Sequence, residues 1–190
     1  MTSPGIILYG PPAAGKDTIT VALHRLDARY VGFGKLKVAD EHGDTTRYRL
    51  TTTEDLARLR EQGHVVYENA RYRNRYVVDK PGLDTAFAAG HVPVVHMGQV
   101  AGVHALRTYP ARWMAVLLWC PREITAQRAR QRGSIDVDAR LTAWDETLHD
   151  LHTATPADFV LRVDTDRHQP DDTAQLIDAA LHAQTGQVTA

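Results

Sequence analysis

The chain has 190 residues, of which 43% are hydrophobic and 24% are charged, a composition typical of one ordinary globular domain. A formal net charge of −1 gives no general attraction to nucleic acid, and no apolar stretch approaches the roughly 18 residues of a membrane span, so neither partner is expected. With a single cysteine, Cys120, and no signal peptide ahead of the first apolar run, we expect a cytoplasmic protein. Composition leaves the oligomeric state open.

The first predicted strand, at residues 5–9, runs directly into Gly-Pro-Pro-Ala-Ala-Gly-Lys-Asp-Thr at positions 10–18, and a helical pattern follows at 15–27. This order is typical of a P-loop, in which inward-pointing backbone N–H groups and a helix N-terminus bind a polyphosphate. Two glycines allow the close turns, and Lys16 adds a mobile cation. We therefore predict that nucleotide phosphates bind to Gly10, Pro11, Pro12, Ala13, Ala14, Gly15, Lys16, Asp17 and Thr18.

Asp17 stands where P-loop motifs usually carry Ser or Thr. Its carboxylate could meet Mg²⁺, directly or through water, where the hydroxyl normally would. Alternatively, Asp17 caps or salt-links the loop, and Thr18 supplies the hydroxyl. No Asp follows the predicted strand at 93–97, which favours the metal role, so Asp17 and Thr18 are both candidate Mg²⁺ ligands.

Residues 33–80 carry a mixed pattern that predicts a small subdomain inserted into an α/β core. Because this segment follows the P-loop in the chain and is rich in cations, we interpret it as the part that binds the acceptor. Its predicted elements are a strand at 45–52, a helix at 53–62 with Thr53 as N-cap, and short strands at 65–67 and 76–78.

The insertion holds the densest basic and aromatic patch in the chain. Lys35 and Lys37 alternate, so both could project to one side of an extended stretch. The three arginines at 71, 73 and 75 would also share one side if their stretch is extended. A solvated hairpin is the alternative, but a place beside a P-loop favours an anion pocket, with tyrosines adding hydroxyls or a flat face. The candidate acceptor ligands in this patch are Lys35, Lys37, Tyr48, Arg71, Arg75 and Tyr76.

Beyond the insertion, strand and helix patterns alternate, which predicts a P-loop NTPase fold of three layers, α/β/α, around a parallel sheet. His96, alone in its strand, is interpreted as a core residue, and Cys120 has no predicted role. The predicted strands lie at 92–97, 113–120 and 159–163, and each precedes a helical pattern, at 100–108, 121–132 and 171–183.

Residues 128–138 form a polar, arginine-dense turn between two helical patterns, and we predict that this turn is an arginine-rich lid. Phosphoryl transfer requires mainly alignment and charge neutralisation, and the planar, permanently charged guanidinium suits both tasks. Arg128 is a candidate ATP ligand. For Arg128 and Arg130, a solvated helix face remains the alternative.

In the order of its parts, the chain resembles the guanylate kinase-like branch of the P-loop kinases over nearly its full length. The parts are the loop at 10–18, the insertion at 33–80, a strand ending near Gly98, Arg132-Gly133 and Ala139-Arg140-Leu141. The resemblance implies ATP as the phosphoryl donor, with Lys16, Arg132 and Arg140 as the catalytic cations. It also implies that Tyr48 and Tyr76 hold the acceptor phosphate, and that Asp164 and Thr165 begin a loop that touches the adenine.

The residues that read guanine in guanylate kinases are not matched. Val78 stands at a hydroxyl position, Met97 or Gln99 at an Asp position, and Lys35 and Lys37 at best replace paired arginines. The chain is similar in local motifs to the ribose 1,5-bisphosphate phosphokinase branch. That similarity covers Gly-Lys-Asp-Thr at 15–18, the strand at 94–99 and the Arg-Gly before the Ala-Arg-Leu helix.

We therefore expect a single-domain, ATP-dependent kinase that phosphorylates a small, already phosphorylated acceptor such as a sugar phosphate. One alternative is a nucleoside monophosphate kinase whose base pocket uses Glu68 and Gln99. The other is a non-catalytic guanylate kinase-like binding module, which would have no need of phosphate-binding cations.

Overall fold

The computed structural model describes residues 3–38, 48–71, 74–134 and 136–186. In chain order, the strands are β1 (Pro4–Tyr9), β2 (Tyr30–Gly32), β3 (Leu36–Val38), β4 (Arg49–Thr51), β5 (Val65–Arg71), β6 (Asn74–Asp79), β7 (Val92–Met97), β8 (Arg112–Trp119) and β9 (Leu161–Asp164). The helices are α1 (Lys16–Leu26), α2 (Thr53–Glu61), α3 (Lys80–Ala88), α4 (Val100–Arg107), α5 (Arg122–Gln131), α6 (Val137–Leu151) and α7 (Pro170–Gly186).

The central sheet has five parallel strands in the order β2-β7-β1-β8-β9. Successive residues of a strand point to opposite faces. Along β1, Ile6 and Leu8 therefore pack with α1 and α7, whereas Ile7 and Tyr9 pack with α3 and α4. Helices cover both faces, and the predicted three-layer α/β/α fold is confirmed. Within the described residues, no helix is long and apolar enough to cross a membrane.

The predicted strands of this sheet correspond to β1, β7, β8 and β9, each within two residues. The sequence analysis missed the edge strand β2. Only three residues long, β2 is too short to show an alternating pattern, and it forms through its pairing with β7, where Tyr30 lies opposite Val92.

A second sheet, of four strands in the order β4-β3-β6-β5, lies in the inserted segment. It packs with α2 around a small core of Leu36, Leu56 and Val77. Strands β5 and β6 form an antiparallel hairpin, and both extend beyond the predicted 65–67 and 76–78. Hydrogen bonding between the two strands keeps the backbone extended at these added residues, although they are polar and show no alternation of apolar and polar side chains.

Two smaller predictions for the insertion need correction. Helix α2 has Thr52 as its N-cap, not Thr53, since the Thr52 hydroxyl accepts a hydrogen bond from the Asp55 N–H at 3.0 Å. The strand predicted at 45–52 corresponds to β4 in its described part. Residues 45–47 lie outside the described residues.

Asp79, at the end of β6, joins the second sheet to the core. Its carboxylate caps α3 by accepting from the Gly82 N–H at 2.9 Å, and it also forms an ion pair with Arg49 of β4. The Arg49 guanidinium lies over the Phe33 ring, 5.3 Å from its centroid. A nearly fully buried carboxylate with charged and backbone donors is well stabilised, so this contact fixes where the inserted sheet meets the core.

The predicted lid at 128–138 spans the end of α5, a short turn and the start of α6. Gly133, at φ +68°, ends α5 in the left-handed conformation, which glycine adopts without a Cβ clash. Residue 135 lies outside the described residues. The second half of α6 is attached to the sheet, because Trp144 Nε1 donates to the Cys120 carbonyl at 3.0 Å.

Candidate phosphate-binding and acceptor site

The loop between β1 and α1 has the closed shape that phosphate binding requires. Its first N–H, from Gly10, donates to the Met97 carbonyl at 3.2 Å, and Gly10, Ala13 and Gly15 all have positive φ. A Cβ added at Gly10 would lie 2.1 Å from the Leu118 carbonyl oxygen. The loop therefore lies directly on the ends of the central strands, where only glycine allows so close an approach.

Lys16 is the first residue of α1, and its side chain folds back over the loop. The ammonium donates to the carbonyls of Gly10 at 2.7 Å and of Pro11 at 2.8 Å. Burial lowers the pKa of Lys16 to about 8, an effect that Asp17 opposes and Arg71 reinforces. The ammonium is held by neutral carbonyls, so an arriving phosphate would meet a poorly neutralised cation.

Asp17 and Thr18, the candidate Mg²⁺ ligands, lie in the first turn of α1, where Thr18 is exposed. Asp17 Oδ1 lies 3.7 Å from His96 Nδ1, and the His96 side chain is 29% exposed, so the interpretation of His96 as a core residue is wrong. Within the described residues, no group of three or more metal-binding side chains occurs. A magnesium ion held by Asp17 and Thr18 would take its remaining ligands from phosphates and water, as Mg²⁺ commonly does.

A cleft of about 390 Å³ opens beside the loop, between α1, the end of α5 and the segment after β9. Asp164 does not line it, and the Asp164 carboxylate lies 3.5 Å from the Arg162 guanidinium. The predicted residues that do line the cleft are Gly15, Thr18, Arg128, Arg132 and Thr165. The other lining residues, which the sequence analysis did not predict, are Ile19, Gln131, Asp166, Arg167, His168, Gln169, Pro170 and Thr173.

The predicted arginines have three different environments. Arg128 links the phosphate loop to the segment after β9, donating to the carbonyls of Ala13 at 3.1 Å and Thr165 at 2.7 Å. Arg132 lines the cleft, is exposed, and forms no side-chain hydrogen bond with any residue that the structure describes. Arg140 lies outside the cleft lining and forms an ion pair with Asp136 at 3.2 Å. Of these three arginines, Arg132 is the one most available to a ligand in the cleft.

Two cations from the insertion approach Lys16 where β1 and β7 end. Lys35 Nζ lies 3.6 Å from Met97 Sδ. The pKa of Lys35 is lowered to about 7, mainly by burial and to a smaller extent by the charges of Lys16 and Arg71. Arg71 lies against Gly98 and donates to the Ala143 carbonyl at 3.2 Å. Arg71 also forms an ion pair with Glu146 at 3.1 Å, so the repulsion among the three cations is partly offset within the protein, and a bound anion would offset it further.

Lys37 has different neighbours from Lys35. It is 8% exposed, and its ammonium lies 5.6 Å from the centroid of the Tyr48 ring. Tyr48 in turn packs against Tyr76, with ring centroids 5.1 Å apart. The structure thus brings together one buried cation and two phenol groups, which is a combination that can bind a phosphate.

The other predicted acceptor ligands form pairs of their own. Glu68 accepts from Arg60 at 2.6 Å and from Arg75 at 2.7 Å, and these hydrogen bonds lower the pKa of its carboxyl group. Gln99 Oε1 accepts from the Tyr67 hydroxyl at 2.5 Å. The expectation that the arginines at 71 and 75 share one side is wrong, because β5 and β6 are antiparallel and Arg75 lies opposite Ala70, the neighbour of Arg71. Arg73 lies outside the described residues.

Sequence reasoning missed Asp150, a residue of α6 that contacts Tyr9 at the end of β1 and Val100 at the start of α4. Its carboxylate accepts from the Tyr9 hydroxyl at 3.0 Å and from the Val100 N–H at 2.6 Å, and so caps α4. No local sequence pattern predicts that one aspartate on a polar helix face caps a helix far away in the chain. Its contacts depend on how α6 crosses the sheet.

Neither a protein-family model nor a curated protein matches this chain. Among solved structures, guanylate kinase from Anaplasma phagocytophilum is similar, with a TM-score of 0.64 and 14% identity over 96% of this chain and 86% of that one. Shikimate kinase from Acinetobacter baumannii, in complex with shikimate, has a TM-score of 0.53 and 18% identity over 96% and 95%. At these identities the likeness shows the fold alone, which is the α/β fold of the P-loop kinases.

Proposed function

We propose that this protein is an ATP-dependent kinase that transfers the γ-phosphoryl group to a small phosphorylated acceptor, in the simplest case a sugar phosphate. The observation that carries the proposal is the meeting of Lys16, Lys35 and Arg71 where β1 and β7 end. One cation comes from the phosphate loop and two come from the inserted segment. Such an arrangement neutralises the negative charge that builds up between a phosphoryl donor and an acceptor.

On the donor side, the loop at 10–18 would hold the ATP phosphates, and the cleft beside it would receive the rest of the nucleotide. Arg128 and Thr165 would border the adenosine, while Arg132, with Arg140 brought in by a lid at 128–138, would hold the phosphates. Asp17 and Thr18 would hold Mg²⁺. When bound, that ion bridges phosphate oxygens and offsets part of their charge.

On the acceptor side, Lys37, Tyr48 and Tyr76 would hold the phosphate that the acceptor already carries. Glu68 is held between Arg60 and Arg75, which leaves it poorly placed to accept hydrogen bonds from a guanine. The ribose 1,5-bisphosphate phosphokinase resemblance implies a sugar phosphate as substrate. Such a substrate has no base and needs no residue that forms hydrogen bonds to one. This pairing of Glu68 favours the sugar phosphate.

A nucleoside monophosphate remains the second candidate, since one structurally similar protein is a guanylate kinase. In that case Gln99 and a released Glu68 would contact the base. ADP release should be followed over a panel of sugar phosphates and nucleoside monophosphates. Turnover of a ribose phosphate well above that of GMP is the expected result, and the reverse order would establish the alternative.

A Lys16→Ala variant tests whether the chain is a kinase at all. Loss of the loop cation should lower turnover by about 10³-fold or more. The exposed Lys80, at the start of α3, offers a matched control, and Lys80→Ala should keep full turnover. If the best acceptor in the panel gives no ADP release above the ATPase background in the unchanged protein, a non-catalytic binding module becomes the better description.

A further inference from the structure

Arg71, the last residue of β5, connects the inserted segment to helix α6. Its Nη2 atom donates to the Ala143 carbonyl at 3.2 Å and to Glu146 Oε2 at 3.1 Å. Its Nη1 atom lies against Gly98, because a Cβ added to that glycine would be 3.1 Å from it. The guanidinium therefore contacts both α6 and the end of β7, where the other two cations of the site lie.

The contact between Arg71 and α6 can be exchanged at little cost. Both distances are longer than the roughly 2.7–2.9 Å of a strong charge-assisted hydrogen bond, and one nitrogen is shared between two acceptors. The Glu146 side chain is 63% exposed, so its carboxylate would return readily to water. The Ala143 carbonyl would keep a side-chain partner, since it also accepts from the Thr147 hydroxyl at 2.7 Å.

Asp150, one helical turn beyond Glu146, shows the opposite behaviour. Its carboxylate accepts from the Tyr9 hydroxyl at 3.0 Å and from the Val100 N–H at 2.6 Å. Two donors from the core of the protein hold Asp150 in place, and their removal would leave a phenol and a helix N-terminus without an acceptor. Of these two carboxylates of α6, Asp150 is part of the packing and Glu146 is the one that can leave.

We propose that Glu146 competes with a phosphate group of the substrates for the Arg71 guanidinium and thereby weakens the binding of that group. The inference rests on the proposed function, which brings such a group to Lys16, Lys35 and Arg71. A phosphate carries more negative charge than a carboxylate, and it would meet three cations where Glu146 pairs with one. The exchange therefore favours the phosphate, but breaking the ion pair reduces its affinity.

The test is a calorimetric titration of inorganic phosphate into the protein saturated with ADP, which leaves the position of the γ-phosphoryl group open. Glu146→Gln removes the competing charge and should tighten phosphate binding by roughly two- to fivefold, the strength of an exposed ion pair. Asp145→Asn is the matched control. It removes the same charge from the neighbouring residue of α6, whose partner is Arg122 at 2.9 Å, and should change phosphate binding little.

Two results of this titration would overturn the inference. Weaker phosphate binding in Glu146→Gln would mean that Glu146 holds Arg71 in place for the ligand instead of competing with it. Equal tightening in Glu146→Gln and Asp145→Asn would mean that only the net charge of α6 matters. Absence of phosphate binding in both the unchanged protein and Glu146→Gln would contradict the inference as well.

A double-mutant cycle tests whether Glu146 acts through Arg71. In a protein that already carries Arg71→Gln, the further change Glu146→Gln should leave phosphate binding unchanged, because the cation for which Glu146 competes is gone. The same gain in both backgrounds would show that Glu146 acts by another route, and the inference would fail.

Steady-state kinetics identify which substrate brings the phosphate group. In Glu146→Gln, a fall in the KM for ATP points to the γ-phosphoryl group, and a fall in the KM for the acceptor points to the phosphate of the acceptor, with kcat unchanged in either case. If both KM values stay unchanged while turnover is high, the inference fails and the proposed function stands. If no acceptor is turned over but the titrations give the expected order, the competition is supported and the proposed function fails.

Discussion

The two sides of the candidate site are built in different ways. The side formed by the phosphate loop depends on backbone, since Gly10 and Gly15 both have positive φ and a Cβ at Gly10 would meet a neighbouring carbonyl oxygen. The side formed by the inserted segment depends on side-chain pairs such as Glu68 with Arg75 and Lys37 with Tyr48. A backbone-built site tolerates little change because its shape is part of the fold. A site made of side-chain pairs can change its ligand while the fold persists.

The largest expected effect comes from Gly10→Ala, which tests the backbone side. The new Cβ would meet the Leu118 carbonyl oxygen at 2.1 Å, and neither backbone can retreat from the centre of the sheet. We expect the free energy of unfolding, measured with urea, to fall by about 3 kcal/mol or more.

Gly90→Ala is the control for Gly10→Ala. Gly90 also has positive φ, at +74°, but a Cβ there would meet nothing within 4 Å. Only the conformational cost of about 1–2 kcal/mol should remain. Equal losses in the two variants would mean that the contact with Leu118 contributes nothing to the intolerance of the loop.

An intermediate effect on the free energy of unfolding is expected from Lys35→Met, which changes a side chain of the inserted segment. The pKa of Lys35 is about 7 in the folded protein and near 10.5 in the unfolded chain, so the unfolded chain binds more protons between these pH values. The stability of the unchanged protein should therefore rise with pH across that window. The variant lacks this dependence and should be more stable by roughly 1–2 kcal/mol at pH 6.5, since solvent relaxation reduces the full penalty.

Urea titrations at pH 6.5, 8 and 10 would measure this difference, which should shrink as the pH rises. Lys80→Met, at an exposed position, should show no such trend. A stability gain in Lys35→Met that is the same at every pH would instead indicate better packing against Met97, with no contribution from the buried charge.

The smallest effect is expected from Glu68→Gln. The partners of Glu68, Arg60 and Arg75, are 44% and 56% exposed, so solvent screens the pairs and the loss should be about 0.2–1 kcal/mol. Since the two arginines lower the pKa of Glu68, the difference from the unchanged protein should be present at neutral pH and vanish as the pH falls below about 4.5. Sugar phosphate turnover should persist. A large loss of turnover on GMP alone would support the nucleoside monophosphate alternative.

This contrast also explains what the sequence could predict. Nine consecutive residues determine the phosphate loop, and apolar runs mark the central strands, so the fold and the loop follow from local patterns. Other features of the site depend on packing between segments that are distant in the sequence. They are the pairing of Glu68 with Arg60, the opposite sides of the hairpin taken by Arg71 and Arg75, and the place of His96 beside Asp17. No periodicity records such contacts, and the three-residue β2 is too short to have one.

Helix α6 is attached to the core through its second half, whereas its first turn has a local contact. Trp144 donates to the Cys120 carbonyl and Asp150 accepts from the Tyr9 hydroxyl, while Arg140 forms an ion pair with Asp136 of the same turn. Asp136 and Trp144 are eight positions apart in the sequence, which is about 12 Å along the helix axis. A rotation of about 10° at Trp144 would therefore move the first turn by about 2 Å. A small rotation of α6 relative to the sheet would therefore be enough to bring the Arg140 guanidinium from a longer contact to hydrogen-bond distance.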